Sequence, residues 1–272
     1  MTTINIKGKF LPVATEWNEL TPQQLFSVCR ILYGQFSWNY GTMLLLKVLT
    51  GMPTTMWNSL KPSDISEFLY IPADLVNKTR LTKQLVPLQT VCDWMVTSKT
   101  FAGPADNFDN LIMSEFVFSE NYFFKYKENE QDIESLDLLC AVLFRPIKKN
   151  YDIEVNADGD TRQPFNHNKC MYNARQIIRK WDPGIKLAIL TWYDHCRLNL
   201  VDQFKQVFEA GDSVGSPAAY GLLTMMRNVA QVGTHGPLAQ VENLYLKMVM
   251  IELHEIVLDA EEMEKLKPKS TT

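Results

Sequence analysis

The residues with the most chemistry to offer are four histidines and five cysteines, and their spacing decides what they could do together. His167 stands three residues before Cys170, and His195 is adjacent to Cys196, which invites a zinc reading. Neighbours on a helix point about 100° apart, so His195 and Cys196 do not converge on one ion. Asn156, Asp158 and Asp160 alternate as EF-hand ligands do. The glycine that such a loop needs comes too early, at Gly159, and Thr161 to His167 offers no closing glutamate, so an acidic turn is expected instead. No Cys or Ser sits in a glycine-flanked elbow or a known nucleophile signature, although a Cys–His pair drawn from distant positions stays open. His235, flanked by Gly233-Thr234 and Gly236, is the histidine best placed for a site, yet a local hydrogen bond is the commoner use of a loop histidine. Gly211 to Gly215 and Gly233 to Gly236 lack the lysine and the preceding strand of a phosphate loop. Trp192-Tyr193 with Arg197 could stack a base, but their helical spacing makes them a core stripe first. No catalytic, cofactor-binding or metal-ligating residue is assigned, and no cofactor is expected.

Charge and composition narrow the partners. With 27 basic and 31 acidic residues the net charge is -4, which supplies no broad positive field, so nucleic acid is not expected as the main partner. Basic residues do gather in Arg145-Pro146-Ile147-Lys148-Lys149 and in Arg175 to Lys180. Both runs are short and interleaved with apolar residues, as solvated helix ends are. Arg145 and Arg162 each adjoin a proline-marked element end, where a structural ion pair is expected. The cysteines are odd in number and mostly set among apolar neighbours, so they read as reduced core thiols. The N-terminus lacks a secretory pattern, and no run approaches the roughly 18 apolar residues of a membrane span. A cytoplasmic protein that avoids the membrane is expected.

Something must position these residues, and the signals are helical. Thr21-Pro22-Gln23-Gln24 reads as a capping box with proline at the first helical position, followed by Leu25, Val28, Cys29 and Leu32 on one face. A second helix is predicted over 40–50, stopped by Gly51 and Pro53. Between Ile31 and Leu60 only Lys47 is charged, so this segment is a buried hairpin or a surface that another protein covers. Trp17-Asn18-Glu19-Leu20-Thr21-Pro22 is echoed by Trp57-Asn58-Ser59-Leu60-Lys61-Pro62, two copies of one way to enter a helix. Further helices are predicted over 87–98, 109–126, 132–144, 167–180, 183–209, 218–231 and 238–265. Residues 4–13 support a short N-terminal strand, and Tyr151 to Val155 followed by the Asn156 to Asp160 turn supports a small β-hairpin near 151–165. The expectation is a mainly α, multi-helix globular bundle. It divides into an N-terminal helical region, 1–105, and a C-terminal one, 106–267, which could together be one compact domain, with a frayed tail over 268–272.

Four strings carry a family likeness: Trp17-Asn18-Glu19-Leu20-Thr21, Leu143-Phe144-Arg145-Pro146, Gly159-Asp160-Thr161-Arg162-Gln163-Pro164-Phe165, and Trp192-Tyr193 with Cys196-Arg197. Together they resemble uncharacterised bacteriophage and prophage proteins encoded among tail genes, over about residues 17 to 208. The resemblance implies a non-enzymatic virion component or assembly factor in the bacterial cytoplasm, for example a tail-assembly chaperone that shields a tape-measure protein. It implies other phage structural or tail proteins as partners, or a second copy of the chain. Leu44, Leu45, Trp57, Phe116 and Phe123 are then the candidate partner-binding residues, acting by hydrophobic burial. The readings from other classes are a small-molecule-binding or enzymatic helical domain with its site near His235 or Arg162, and a nucleic-acid-binding accessory protein.

Overall fold

The capping box at Thr21 forms: its side chain accepts from the Gln24 N–H at 3.3 Å while its own N–H donates to Gln24 Oε1 at 3.0 Å. It opens α1 (Pro22–Leu32), which buries Leu25, Val28 and Cys29. In this computed structural model, which describes residues 1–92, 98–149, 159–212 and 218–266, α1 belongs to the first of two compact units. That unit comprises Met1–Leu88 and Lys180–Cys196, and the second comprises Gln89–Arg179 and Arg197–Thr272.

The first unit begins with an antiparallel ribbon of β1 (Thr2–Ile6) and β2 (Lys9–Val13). Lys7 and Gly8 both take positive φ, 51° and 79°, as a tight hairpin turn of right-handed twist requires. The second strand exceeds the single strand expected, because Pro12 sits opposite Thr3 in a ribbon whose strands are both edges. Helix α2 (Trp38–Thr50) packs along α1 and stops at Gly51 in the left-handed region, φ 60°. Short helices α3 (Thr54–Trp57), α4 (Pro62–Ser66) and α5 (Tyr70–Lys78) follow. The helix Pro183–Gln203 contributes its residues through Cys196, and Asp182 accepts the Gly184 N–H at its start, 2.7 Å.

The second unit holds a sheet that periodicity did not announce. Strands β3 (Gln89–Cys92), β4 (Ser98–Ala102) and β5 (Arg145–Pro146) pair antiparallel in the order β3-β4-β5. The helix expected over 87–98 gives way to β3 and β4 in the described residues, because the β-branched Thr90-Val91 pairs with Lys99-Thr100. The unit's helices are α6 (Met113–Glu128), α7 (Ile133–Leu143), α8 (His167–Gln176), the end of α9 (Pro183–Gln203) from Arg197 on, α10 (Lys205–Asp212), α11 (Ala218–Val232), α12 (Leu238–Val241) and α13 (Leu246–Leu266). The molecule is mainly α, as expected, with α6 against α7 and α7 against α8 forming the second unit's centre.

Two helices expected to be continuous are broken. The 183–209 helix ends at Gln203, and the Val207 N–H turns to the Phe204 carbonyl, 3.0 Å, before α10 continues. The 238–265 helix opens between α12 and α13 because its backbone has another task. The Glu242 and Leu244 carbonyls accept from Ser114 and Met113, the first N–H groups of α6, at 3.0 and 2.9 Å. No side chain caps that helix start, so backbone from 242–244 satisfies its orphan donors. Of the hairpin near 151–165, Tyr151 to Asp158 lie outside the described residues. On either side, Lys148 N–H donates to the Thr161 carbonyl, 2.9 Å, and Gln163 N–H to Pro146, 2.8 Å, so 146–148 runs antiparallel to 161–163.

Candidate functional site

Where 146–148 meets 161–163, the two arginines singled out by sequence turn inward. Arg162 is 1% exposed and Arg145 4%, and a guanidinium that deep needs every donor matched. Arg162 Nε and Nη2 grip Asp160 at 2.9 and 2.8 Å; Nη2 also reaches Glu115 Oε2 at 3.2 Å, and Nη1 donates to the Leu143 carbonyl at 3.0 Å. Arg145 pairs with Glu115 and, at 3.4 Å, with Asp160, while its buried Nε meets no hydrogen-bond acceptor among the described residues. Two guanidiniums and two carboxylates thus balance. Burial pushes the Glu115 carboxyl up, against the pull of Arg162 and Arg145. Burial also pulls Arg162 down, but Glu115 and Asp160 together outweigh it, and the guanidinium stays charged. The network ties α6, through Glu115, to the C-terminal carbonyl of α7 and to the 160–163 turn.

That turn is one wall of a cleft of about 660 Å³. Lys99 and Thr100 of β4, Pro146 to Lys149 and Gln163 form the sheet side. Asn168, Lys169, Tyr172 and Asn173, one face of α8, form the other. Lys99, Lys149 and Lys169 are exposed, Lys148 is half-buried, and Tyr172 is 60% exposed. The basic run over 145–149 is therefore two things: an inward arginine that holds the wall, and a pair of lysines that line the cleft.

The first unit has an open groove of about 520 Å³ between α1 and α2. Ile31, Leu44, Val48 and Met52 supply its apolar lining, and Gln23, Ser27 and Lys47 its polar part. Of the expected partner-binding residues, Leu44 is half-buried here and Trp57 half-buried in α3. Leu45, Phe116 and Phe123 are at most 3% exposed and fill the cores of their own units. They are corrected to core residues: the stripes that made them stand out face inward. The uncharged segment exposes other aromatics instead, Phe36, Trp38 and Tyr40, at 47 to 55%. Phe36 and Ile31 both lie within 4 Å of where a Cβ on Gly41 would stand, which sets Phe36 beside the Ile31 end of the groove.

The histidines and cysteines have structural partners. His195 Nδ1 accepts the Leu81 N–H at 2.9 Å, with the Trp17 ring edge-on at 5.0 Å. Burial brings its pKa down to about 4, against the pull of Asp194. His235 faces Glu252 at 3.4 Å, and His167 meets the Tyr122 hydroxyl at 2.8 Å. Cys29, Cys140, Cys170 and Cys196 are buried thiols, none of them in a disulfide. Burial pushes the Cys29 thiol up to about 12 and Cys170 up to about 11, which leaves neither a nucleophile near neutral pH. Among the described residues no group of three or more His, Cys, Asp or Glu could hold a metal, and no helix is long and apolar enough to cross a membrane. Sequence reasoning missed the partners rather than the arginines: Glu115, Glu120 and Asp160 each receive a guanidinium. Glu115 and Glu120, two carboxylates inside an aromatic helix, were the available signal. The chain matches no protein-family model, no curated protein and no solved structure.

Proposed function

We propose that the chain is a non-enzymatic phage structural or tail-assembly protein that acts by binding other proteins. The observation that carries this reading is the α1–α2 groove, apolar along Ile31, Leu44 and Val48 and flanked at one end by exposed Phe36. Two antiparallel helices with an apolar trough suit the apolar face of a partner's amphipathic helix, which would insert anchors at helical spacing. Such a helix is the chemistry expected of a tape-measure segment awaiting assembly. A tagged chain recovered from phage-infected or prophage-induced cells should bring tail proteins with it, and Leu44→Asp should abolish that capture while leaving the fold intact. A monomer that captures no tail protein would sink the reading. A second reading, a ligand site near Arg162, is favoured by the lysine cleft that the Arg162 network walls.

A further inference from the structure

We propose that β1 pairs along its outer edge with β1 of a second copy of the chain, antiparallel and two-fold symmetric about Ile4, so that the two ribbons join into one sheet. This goes beyond the α1–α2 groove and does not depend on it. Ile6 and Lys9 flank a two-residue turn and so exchange both ladder bonds, as do Ile4 with Leu11 and Thr2 with Val13. Thr3 and Asn5 on β1, and Phe10 and Pro12 on β2, therefore aim their backbone polar groups away from the opposite strand. Pro12 fits this phase, since a residue without an N–H stands at an outward position and the ladder loses nothing by it.

The two edges of the ribbon differ. β2 is blunted, because Pro12 withholds an outward donor and Lys9 sets a charge at its start. β1, Thr2-Thr3-Ile4-Asn5-Ile6, carries no charge, proline or glycine, and its register runs without a bulge. Four of its five residues are β-branched, and Thr2, Thr3 and Asn5 are exposed, a composition that suits a paired strand better than a solvated edge. Symmetry selects a second copy over a foreign strand. The outward donors and acceptors flank Ile4 evenly, so a two-fold axis there lets Thr3 of each copy exchange both bonds with Asn5 of the other. On the outer face that register sets Thr3 against Asn5, and on the inner face it sets the buried Ile4 against its own counterpart. The cation beyond each end of the strand brings its own counter-ion: Lys7 pairs with Asp64 at 2.8 Å, and the N-terminal amino group with Glu19. The copies therefore meet without repulsion. Five residues a side make a small contact, so the dimer is a weak one.

The test is sedimentation equilibrium of the full chain, without an N-terminal tag, over a concentration series, with amide hydrogen exchange measured on the same samples. The mass should rise towards two chains, and exchange of the Thr3 and Asn5 amides should slow in step with it. Asn5→Pro removes an outward N–H and leaves the ladder to β2 whole, so it should abolish the dimer while the melting curve in dilute solution stays unchanged. Asn5→Thr should retain the dimer. Charge swaps check the register without a proline. Thr3→Lys with Asn5→Glu sets opposite charges face to face and should tighten the dimer about 2- to 30-fold, whereas Thr3→Lys with Asn5→Lys should disperse it. Leu44→Asp should leave the dimer untouched, and its loss on that change would hand self-association to the groove and overturn the proposal. A monomer at every concentration, or a dimer indifferent to both Asn5→Pro and the paired lysines, would overturn it as well. A monomer whose capture of another protein is lost on Asn5→Pro would give the edge to a partner's strand and overturn the second copy.

Discussion

In the first unit the irregular stretch Leu81–Lys83 is held by four side chains without net charge, whereas in the second the Asp160–Gln163 turn is held by a quartet of ions. Asn18 Oδ1 accepts the Thr82 and Lys83 N–H groups at 2.9 and 3.0 Å, and His195 accepts that of Leu81. Trp192 Nε1 and the Cys196 thiol donate to the Thr82 carbonyl. Each of those bonds is worth about 1 kcal/mol net, and none brings a charge out of water. The Arg162 network does bring charges out of water, and such a network adds little net stability while making the loss of any one member expensive. Both solutions fix a loop, but they should fail under different insults. Short strings supply the pins in both units: Asn18 with Trp192 to Cys196 in one, Arg145 and Asp160 to Gln163 in the other.

The sharpest break in this comparison is Arg162→Met. It strands Glu115 and the Leu143 carbonyl and should cost about 3 to 5 kcal/mol, read by urea unfolding. Replacing Glu115, Arg145 and Arg162 together by apolar residues of similar size should cost much less than the sum of the single losses. If the single variant unfolds at nearly the wild-type midpoint, the quartet is not the pin that its geometry describes.

How much of this contrast was legible follows from how local each signal is. Thr21-Pro22, the Leu136 to Leu143 stripe and Gly51 announce their elements because capping and amphipathicity act within a few residues. The β3-β4-β5 sheet was invisible, since Phe101 finds its partner Pro146 far along the chain and nothing around residue 89 encodes that pairing. The opening between α12 and α13 is likewise decided elsewhere, by the uncapped start of α6. Arg145 and Arg162 were recognisable as ion-pair residues from the adjacent prolines. Their partner Glu115 was not, because helical spacing shows which face it takes but not what that face meets. Phe116 and Phe123 misled for a related reason: an aromatic stripe marks burial and does not say whether chain or partner buries it. The lysine cleft needed Lys99, Lys148, Lys149 and Lys169 brought together by pairing that no periodicity reveals.

A smaller effect separates the units by pH. His195 is neutral when folded, its pKa brought from 6.5 down to about 4 by burial. The folded state therefore binds fewer protons between those values, so the contribution is complete above pH 6.5 and is lost as pH falls towards 4. It amounts to at most about 3 kcal/mol. His195→Asn keeps an acceptor for the Leu81 N–H but does not titrate, so its stability should stay flatter over that range. Parallel curves for the two proteins would assign the acid sensitivity elsewhere.

The smallest expected effect concerns a pin that lies on the surface. Thr21→Ala removes the hydroxyl that accepts the Gln24 N–H and should destabilise by about 1 kcal/mol, with Thr21→Ser restoring most of it. Part of the box survives in the variant, because the residue 21 N–H still donates to Gln24 Oε1. Gln24 also spends its amide on the Val48 and Leu49 carbonyls at the end of α2. Gln24→Ala should therefore cost more than Thr21→Ala, since it loosens the α1–α2 pair that forms the groove as well as the helix start. Thermal unfolding of the two variants side by side decides this. Equal losses would mean that the amide's reach to α2 contributes nothing, and that α1 and α2 are held by Leu25, Leu45, Leu46 and Leu49 packing alone.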